Sequence, residues 1–128
     1  MKDLKIAERR IEDVVVLDLT GQIKIGENTL KLRNVLREYV QSGEKKVLLN
    51  LDGITHIDSS GLGDLVSGFV SFENKGGFLK LLNLTEHVSE LMMITKLLTV
   101  FETFTNEEEA IRSFKTAVPD KAASTTAV

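Results

Sequence analysis

An α/β fold is predicted, built on a mixed, mostly parallel β-sheet of four to five strands with about four α-helices. Three observations predict it. The run Val47 to Leu51 (VLLNL) is almost continuously apolar, as a strand covered on both faces must be. From Glu27 the apolar period changes from two to about 3.6, and strand-like and helix-like segments then alternate to the end of the patterned region. That alternation implies parallel strands joined by right-handed crossovers. Before Glu27 the segments are strand-like only, which implies an antiparallel hairpin at one edge.

The elements follow in order. Leu4 to Ala7 alternates as a short strand, and Glu8 to Asp13 is polar and turn-like apart from Ile11. Val14 to Leu19 (VVVLDL) is β-branched and apolar, so it reads as a buried strand that can pair with the first. Gly21 interrupts it, and Gln22 to Ile25 reads as a brief further strand. Leu32, Val35, Leu36, Tyr39 and Val40 recur at helical spacing, with Lys31, Arg33, Arg37 and Glu38 opposite them and Gly43 as a stop. After the Val47 to Leu51 strand, Asp52-Gly53 reads as a turn and Ile54 to Ile57 as an extended bridge.

Leu62, Leu65, Val66, Phe69 and Val70 mark a second helix, which Asn74-Lys75-Gly76-Gly77 ends. Phe78 to Leu82 (FLKLL) is a buried strand. Thr85 is a suitable cap for a third helix running to about Thr95, with Val88, Leu91, Met92 and Thr95 on one face. Val100 to Phe104 reads as the last strand. Asn106-Glu107-Glu108-Glu109 resembles a capping box, and Ala110, Ile111 and Phe114 form the apolar face of a fourth helix. One domain is expected over residues 1–117. Residues 118–128 lack any apolar period and are expected to be a disordered tail.

Composition narrows the function classes. The chain has 128 residues, 42% hydrophobic and 27% charged, enough apolar material for one packed core. Its net charge is −3 and its Lys and Arg are scattered, which disfavours direct binding to nucleic acid. With no Cys there is no disulfide, thiolate metal site or Cys nucleophile. The two histidines, His56 and His87, are far apart in sequence and belong to no metal-spacing motif. No run approaches the ~20 apolar residues that span a bilayer, and the N-terminus has no signal-peptide pattern. A cytoplasmic protein with no membrane association and no cofactor is expected.

The segment Asp58-Ser59-Ser60-Gly61-Leu62-Gly63 stands where an extended segment enters a helix, the usual place for functional loops in open α/β sheets. Ser and Asp there are good helix caps. Gly61 and Gly63 are poor helix residues, which suggests a close approach by another backbone or a partner. Local physics leaves two readings open: a serine that only caps the helix, or a serine displayed for modification. A phosphoryl group would add about −1.5 to −2 charge. Beside Asp58 it would make the local surface strongly negative, enough to switch the docking of an acidic or apolar partner.

With VLLNL before it and Leu17 to Ile23 (LDLTGQI) upstream, this segment resembles the STAS domain family, and among its branches the bacterial anti-sigma factor antagonists of the sporulation and general-stress type. The resemblance covers about residues 4–116. It implies a regulator and not an enzyme. The unphosphorylated form binds an anti-sigma factor that is also a serine kinase, and so releases a sigma factor. The kinase phosphorylates the serine after the Asp, here Ser59, and a PP2C-type phosphatase reverses the mark. ATP and metal belong to those partners. The resemblance implies that Asp58 orients the site, that Ser60 is the helix cap, and that partners contact Asp58 to Leu62 together with Gly21, Gln22 and Ile23. It implies a monomer or weak homodimer.

Rival readings are poorer. A serine hydrolase would need a base and an oxyanion hole, and neither serine lies in a G-x-S-x-G elbow. A phospho-aspartate receiver would need an acid pair after the first strand, where only Asp18 stands. No P-loop is present. The runner-up is a STAS-type scaffold or ligand-sensing module in a stress-signalling or transport complex, with Ser59 purely structural.

Overall fold

The computed structural model describes residues 3–24 and 26–115. The expected tail, 118–128, and Ile25 lie outside the described residues. The chain runs β1 (Lys5–Ile11), β2 (Val14–Ile23), α1 (Glu27–Gln41), β3 (Lys46–Ile57), α2 (Ser59–Asn74), β4 (Phe78–Leu82), α3 (Glu86–Ile94), a 3₁₀ turn (Leu97–Thr99), β5 (Thr103–Phe104) and α4 (Glu107–Lys115). The five strands form one sheet in the order β1-β2-β3-β4-β5. β1 is antiparallel to β2, and every later pair is parallel. The α/β class, the hairpin edge and the mainly parallel remainder agree with the expectation.

Alternation along each strand sends side chains to two unequal cores. Val15, Leu17, Leu19, Val47, Leu49, Leu51, Leu79 and Leu81 face α1, α2 and α3 and pack with Leu32, Leu36, Leu62, Leu65, Phe72, Val88 and Met92. Val14, Val16, Leu48 and Leu82 face the other way, against Ala110, Ile111 and Phe114 of α4. Lys80 points to this second face and is nearly sealed there. Its ammonium lies 4.7 Å from the Phe114 ring centre and 2.9 Å from Ser113 Oγ, and 3.4 Å from Glu102. A buried lysine is tolerable only with such partners.

Four expectations are corrected. The polar stretch Glu8 to Ile11 is strand, and the turn is confined to Glu12-Asp13. It is the solvated part of an edge strand, held by Arg10–Glu44 at 2.9 Å and Arg9–Asp18 at 2.6 Å. Gly21 does not end β2. It takes φ +109° at a register shift, and a Cβ there would overlap the Asp3 carbonyl oxygen. Asp52-Gly53 is not a turn, because β2 continues alongside and keeps β3 paired through it. Gly53 supplies the room, since a Cβ would overlap the Thr20 side chain and sit 2.8 Å from the Leu19 carbonyl oxygen. The last strand is shorter than Val100 to Phe104, because the 3₁₀ turn takes up Val100 through its N–H to the Leu97 carbonyl. Phe101 is drawn into the core, edge-on to Phe69 with centres 5.3 Å apart.

Candidate functional site

The DSSGLG segment lies at the carboxyl end of two adjacent parallel strands. Ile23 and Ile57 are paired there, and the Asp58 N–H donates to the Ile23 carbonyl at 3.2 Å. β3 therefore stops at Ile57 and α2 starts at Ser59 with no intervening loop. The cap is Asp58, in extended conformation, whose Oδ1 accepts from the Gly61 N–H at 2.9 Å. Its carbonyl accepts from the Leu62 N–H at 3.0 Å. This corrects the expectation that Ser60 caps the helix. An N-cap must lie outside the helix with β-region dihedrals, and Ser60 is already inside the first turn.

Capping by Asp58 frees both serines. Ser59 is exposed at the first helical position, and its hydroxyl makes no hydrogen bond among the described residues; Ser60 is half-buried. Gly61 is buried, and a Cβ there would overlap the Ile23 carbonyl oxygen and lie 2.8 Å from the Ile57 side chain. The close approach that the glycines suggested is thus made by the chain's own β2 at Gly61. Gly63 faces open space. Leu62 and Ile23 are buried with Gly61, so their side chains hold α2 against the sheet from below. Gln22 and Gly21 are half-buried beside them. Of the residues expected to meet a partner, Asp58, Ser59, Ser60, Gly21 and Gln22 reach the surface.

Two further features stand near this edge: Asp64, which the sequence does not single out, and the two histidines, which it reads as unrelated. Asp64, on the buried side of α2, is held by Arg33 of α1 at 3.1 Å, and its second oxygen has no partner among the described residues. His56, the penultimate residue of β3, and His87, in the first turn of α3, come together with ring centres 5.4 Å apart. Gln22 Nε2 lies 3.3 Å from the His56 Nδ1. Both imidazoles are exposed. Among the described residues no helix is long and apolar enough to cross a membrane.

The profile of the STAS domain matches residues 5–110, nearly all of the described chain. The chain belongs to the STAS domain family. A candidate anti-sigma factor antagonist of Thermotoga neapolitana is 32% identical over 101 residues, covering 79% of this chain and 89% of that protein. The candidate anti-sigma factor antagonist BtrV of Bordetella bronchiseptica is 29% identical over 116 residues, covering 91% and 99%. The crystal structure of a candidate antagonist from Thermotoga maritima superposes with a TM-score of 0.78 at 26% identity, covering 86% of this chain and 94% of that one. The five-stranded mixed sheet with four helices is therefore the STAS fold.

Proposed function

We propose that this STAS domain is an anti-sigma factor antagonist, switched by phosphorylation of Ser59. In this reading the unmodified face formed by Asp58, Ser59 and Ser60, with Gly21 and Gln22 beside it, docks an anti-sigma factor serine kinase in the cytoplasm and frees a sigma factor. The kinase transfers the γ-phosphoryl group of ATP to the Ser59 hydroxyl oxygen, and a PP2C-type phosphatase hydrolyses the ester. The chain itself is a regulator and supplies no catalytic group.

One observation carries the reading. Asp58 takes the capping role, so the Ser59 hydroxyl stands exposed at the first position of α2 with no structural task. A phosphate there adds about −1.5 to −2 charge without displacing a core contact. The helix N-terminus favours an anion, so the domain tolerates the mark. Beside Asp58, the same charge opposes an acidic or apolar partner, at a cost of several kcal/mol. The names carried by the relatives support the partner class.

The test is to incubate the full chain with its cognate serine kinase and ATP, locate the phosphate by mass spectrometry, and measure kinase binding by Ser59→Asp. Modification at Ser59, and a loss of affinity of about a hundredfold in Ser59→Asp, are expected. An unmodified Ser59 together with wild-type affinity in the variant would sink the switch and leave a non-switching scaffold.

A further inference from the structure

We propose that the groove between α1 and α2 binds a small, non-aromatic phosphate monoester that carries hydroxyl groups, of the sugar-phosphate class. The groove holds a cavity of about 410 Å³, within the range of small-molecule sites. Leu36 and Val40 give it an apolar floor. Gly68 is buried beside them, and a Cβ there would lie 2.8 Å from Leu36 Cδ1, so the glycine lets the two helices close beneath the cavity.

A carboxylate is set into this floor. Asp64 lines the cavity with its side chain only 7% exposed. Arg33 brings Nε and a terminal nitrogen to the same oxygen, Oδ1, each at 3.1 Å, and Oδ2 has no partner among the described residues. A buried acceptor left unmet is rare and costly, and an ionised carboxylate can only accept. A ligand hydroxyl supplies the donor. The Arg33 guanidinium is half-exposed, so it can turn toward a bound anion and open the path to Oδ2.

The rim selects the other end of the ligand. Arg37 follows Arg33 by one turn of α1, and Lys75 lines the groove at the far end of α2. Neither enters an ion pair among the described residues. The Lys75 carbonyl, at the negative end of α2, accepts from Lys45 Nζ, so it does not turn an anion away. Two positive charges are thus unmatched, and a phosphate monoester carries about −1.5 to −2. Ser67 and Ser71, one turn apart on α2, offer hydroxyls between the two ends. Among the described residues no aromatic ring lines the cavity, so a planar base has nothing to stack on. The cavity shares no residue with the Ser59 face.

The test titrates the ¹⁵N-labelled full chain with glucose 6-phosphate and glycerol 3-phosphate, and with inorganic phosphate and glucose as the separate halves. Saturable shifts of the α1 and α2 amides along the groove are expected with at least one ester at sub-millimolar concentration. Inorganic phosphate should bind at least about tenfold more weakly, and glucose more weakly still. Arg37→Gln and Lys75→Gln, both at exposed positions, should each weaken the ester about tenfold. Asp64→Asn replaces one carboxylate oxygen by an amide nitrogen. It should narrow the gap between ester and inorganic phosphate to about twofold, while retained phosphate binding shows the fold intact. Saturation by neither ester below about 1 mM overturns the proposal. Unchanged affinity in the double variant of Arg37 and Lys75 overturns it too, by placing the ester elsewhere on the surface. Inorganic phosphate binding as tightly as the esters also overturns it, by leaving a bare anion patch. None of these outcomes bears on phosphorylation of Ser59.

Discussion

At Asp58 and Ser60 two side chains compete for one job. Both residue types cap helices well, and only one can occupy the position with extended backbone just outside the first turn. The structure gives that position to Asp58. Asp58→Ala should therefore cost about 1 kcal/mol of stability, whereas Ser60→Ala should change stability by under about 0.5 kcal/mol. Urea unfolding of the two variants measures the contrast directly. Equal losses would return the cap to Ser60 and remove the reason that Ser59 is free. The sequence already held every residue of this site. What it could not supply was the backbone angle at Asp58, because that angle depends on where β3 ends, and β3 ends where the Asp58 N–H meets the Ile23 carbonyl.

The glycines of α2 separate at the scale of the element. Gly61 and Gly63 carry the same intrinsic penalty in a helix and look equivalent as residues. In the packed helix they differ, since Gly61 lies against the Ile23 backbone and Gly63 faces open space. Gly61→Ala should push the first turn of α2 off the sheet and destabilise by about 1–3 kcal/mol, the usual range for overpacking. Gly63→Ala should stabilise by up to about 1 kcal/mol through helix propensity alone. Thermal or urea melts of the pair distinguish these outcomes, and a neutral Gly61→Ala would mean that α2 is not seated against β2 as described. Strands show the same limit of local reading. Gly21 and Gly53 look like punctuation in sequence, yet the parallel partner carries both strands through them. A strand's length is set by its neighbour, and only a bulge with room beside it tells the two cases apart.

Across the whole molecule a polar ladder ties three strands, α4 and the residue that follows β4 together on the α4 face. Arg9 donates to both oxygens of Asp18, at 2.6 and 2.9 Å, and reaches Glu107 of α4 at 2.6 Å. Asn50 donates to Asp18 at 2.8 Å, and Asn83 to Asn50 at 3.2 Å. The hydrogen bonds from Arg9, and then that from Asn50, hold the Asp18 carboxyl below the usual carboxylate range despite its partial burial. A folded-state value below the unfolded one, about 3.9, means that the ionised form contributes stability above that pH. The contribution is lost as pH falls from about 4 through the lowered folded-state value. Between about pH 5 and 2, wild type should thus lose more unfolding free energy than Asp18→Asn, as read by denaturant titrations at a series of pH values. Parallel acid limbs for the two proteins would show that the ladder carries no net stability.

Periodicity, turn residues and one motif were sufficient to place this chain in its family. Those signals are local: the apolar alternation of β2 and β3, the helical stripes of α1 and α2, and Asp58-Ser59-Ser60-Gly61 are each legible within about ten residues, because a side chain's face follows from its position along its own element. The hydrophobic pattern thus determined the sheet, its helices and the edge where the motif stands. Tertiary structure decided what separate elements do to one another. It chose Asp58 as the cap, pressed Gly61 onto Ile23, buried Lys80 under Phe114, and set His56 beside His87. The last three join residues from different elements at a distance of a few ångströms, and the cap itself depends on β3 ending where the Asp58 N–H meets the Ile23 carbonyl; sequence spacing holds no record of such distances until the sheet has assembled and brought the strand ends and helix starts to one edge.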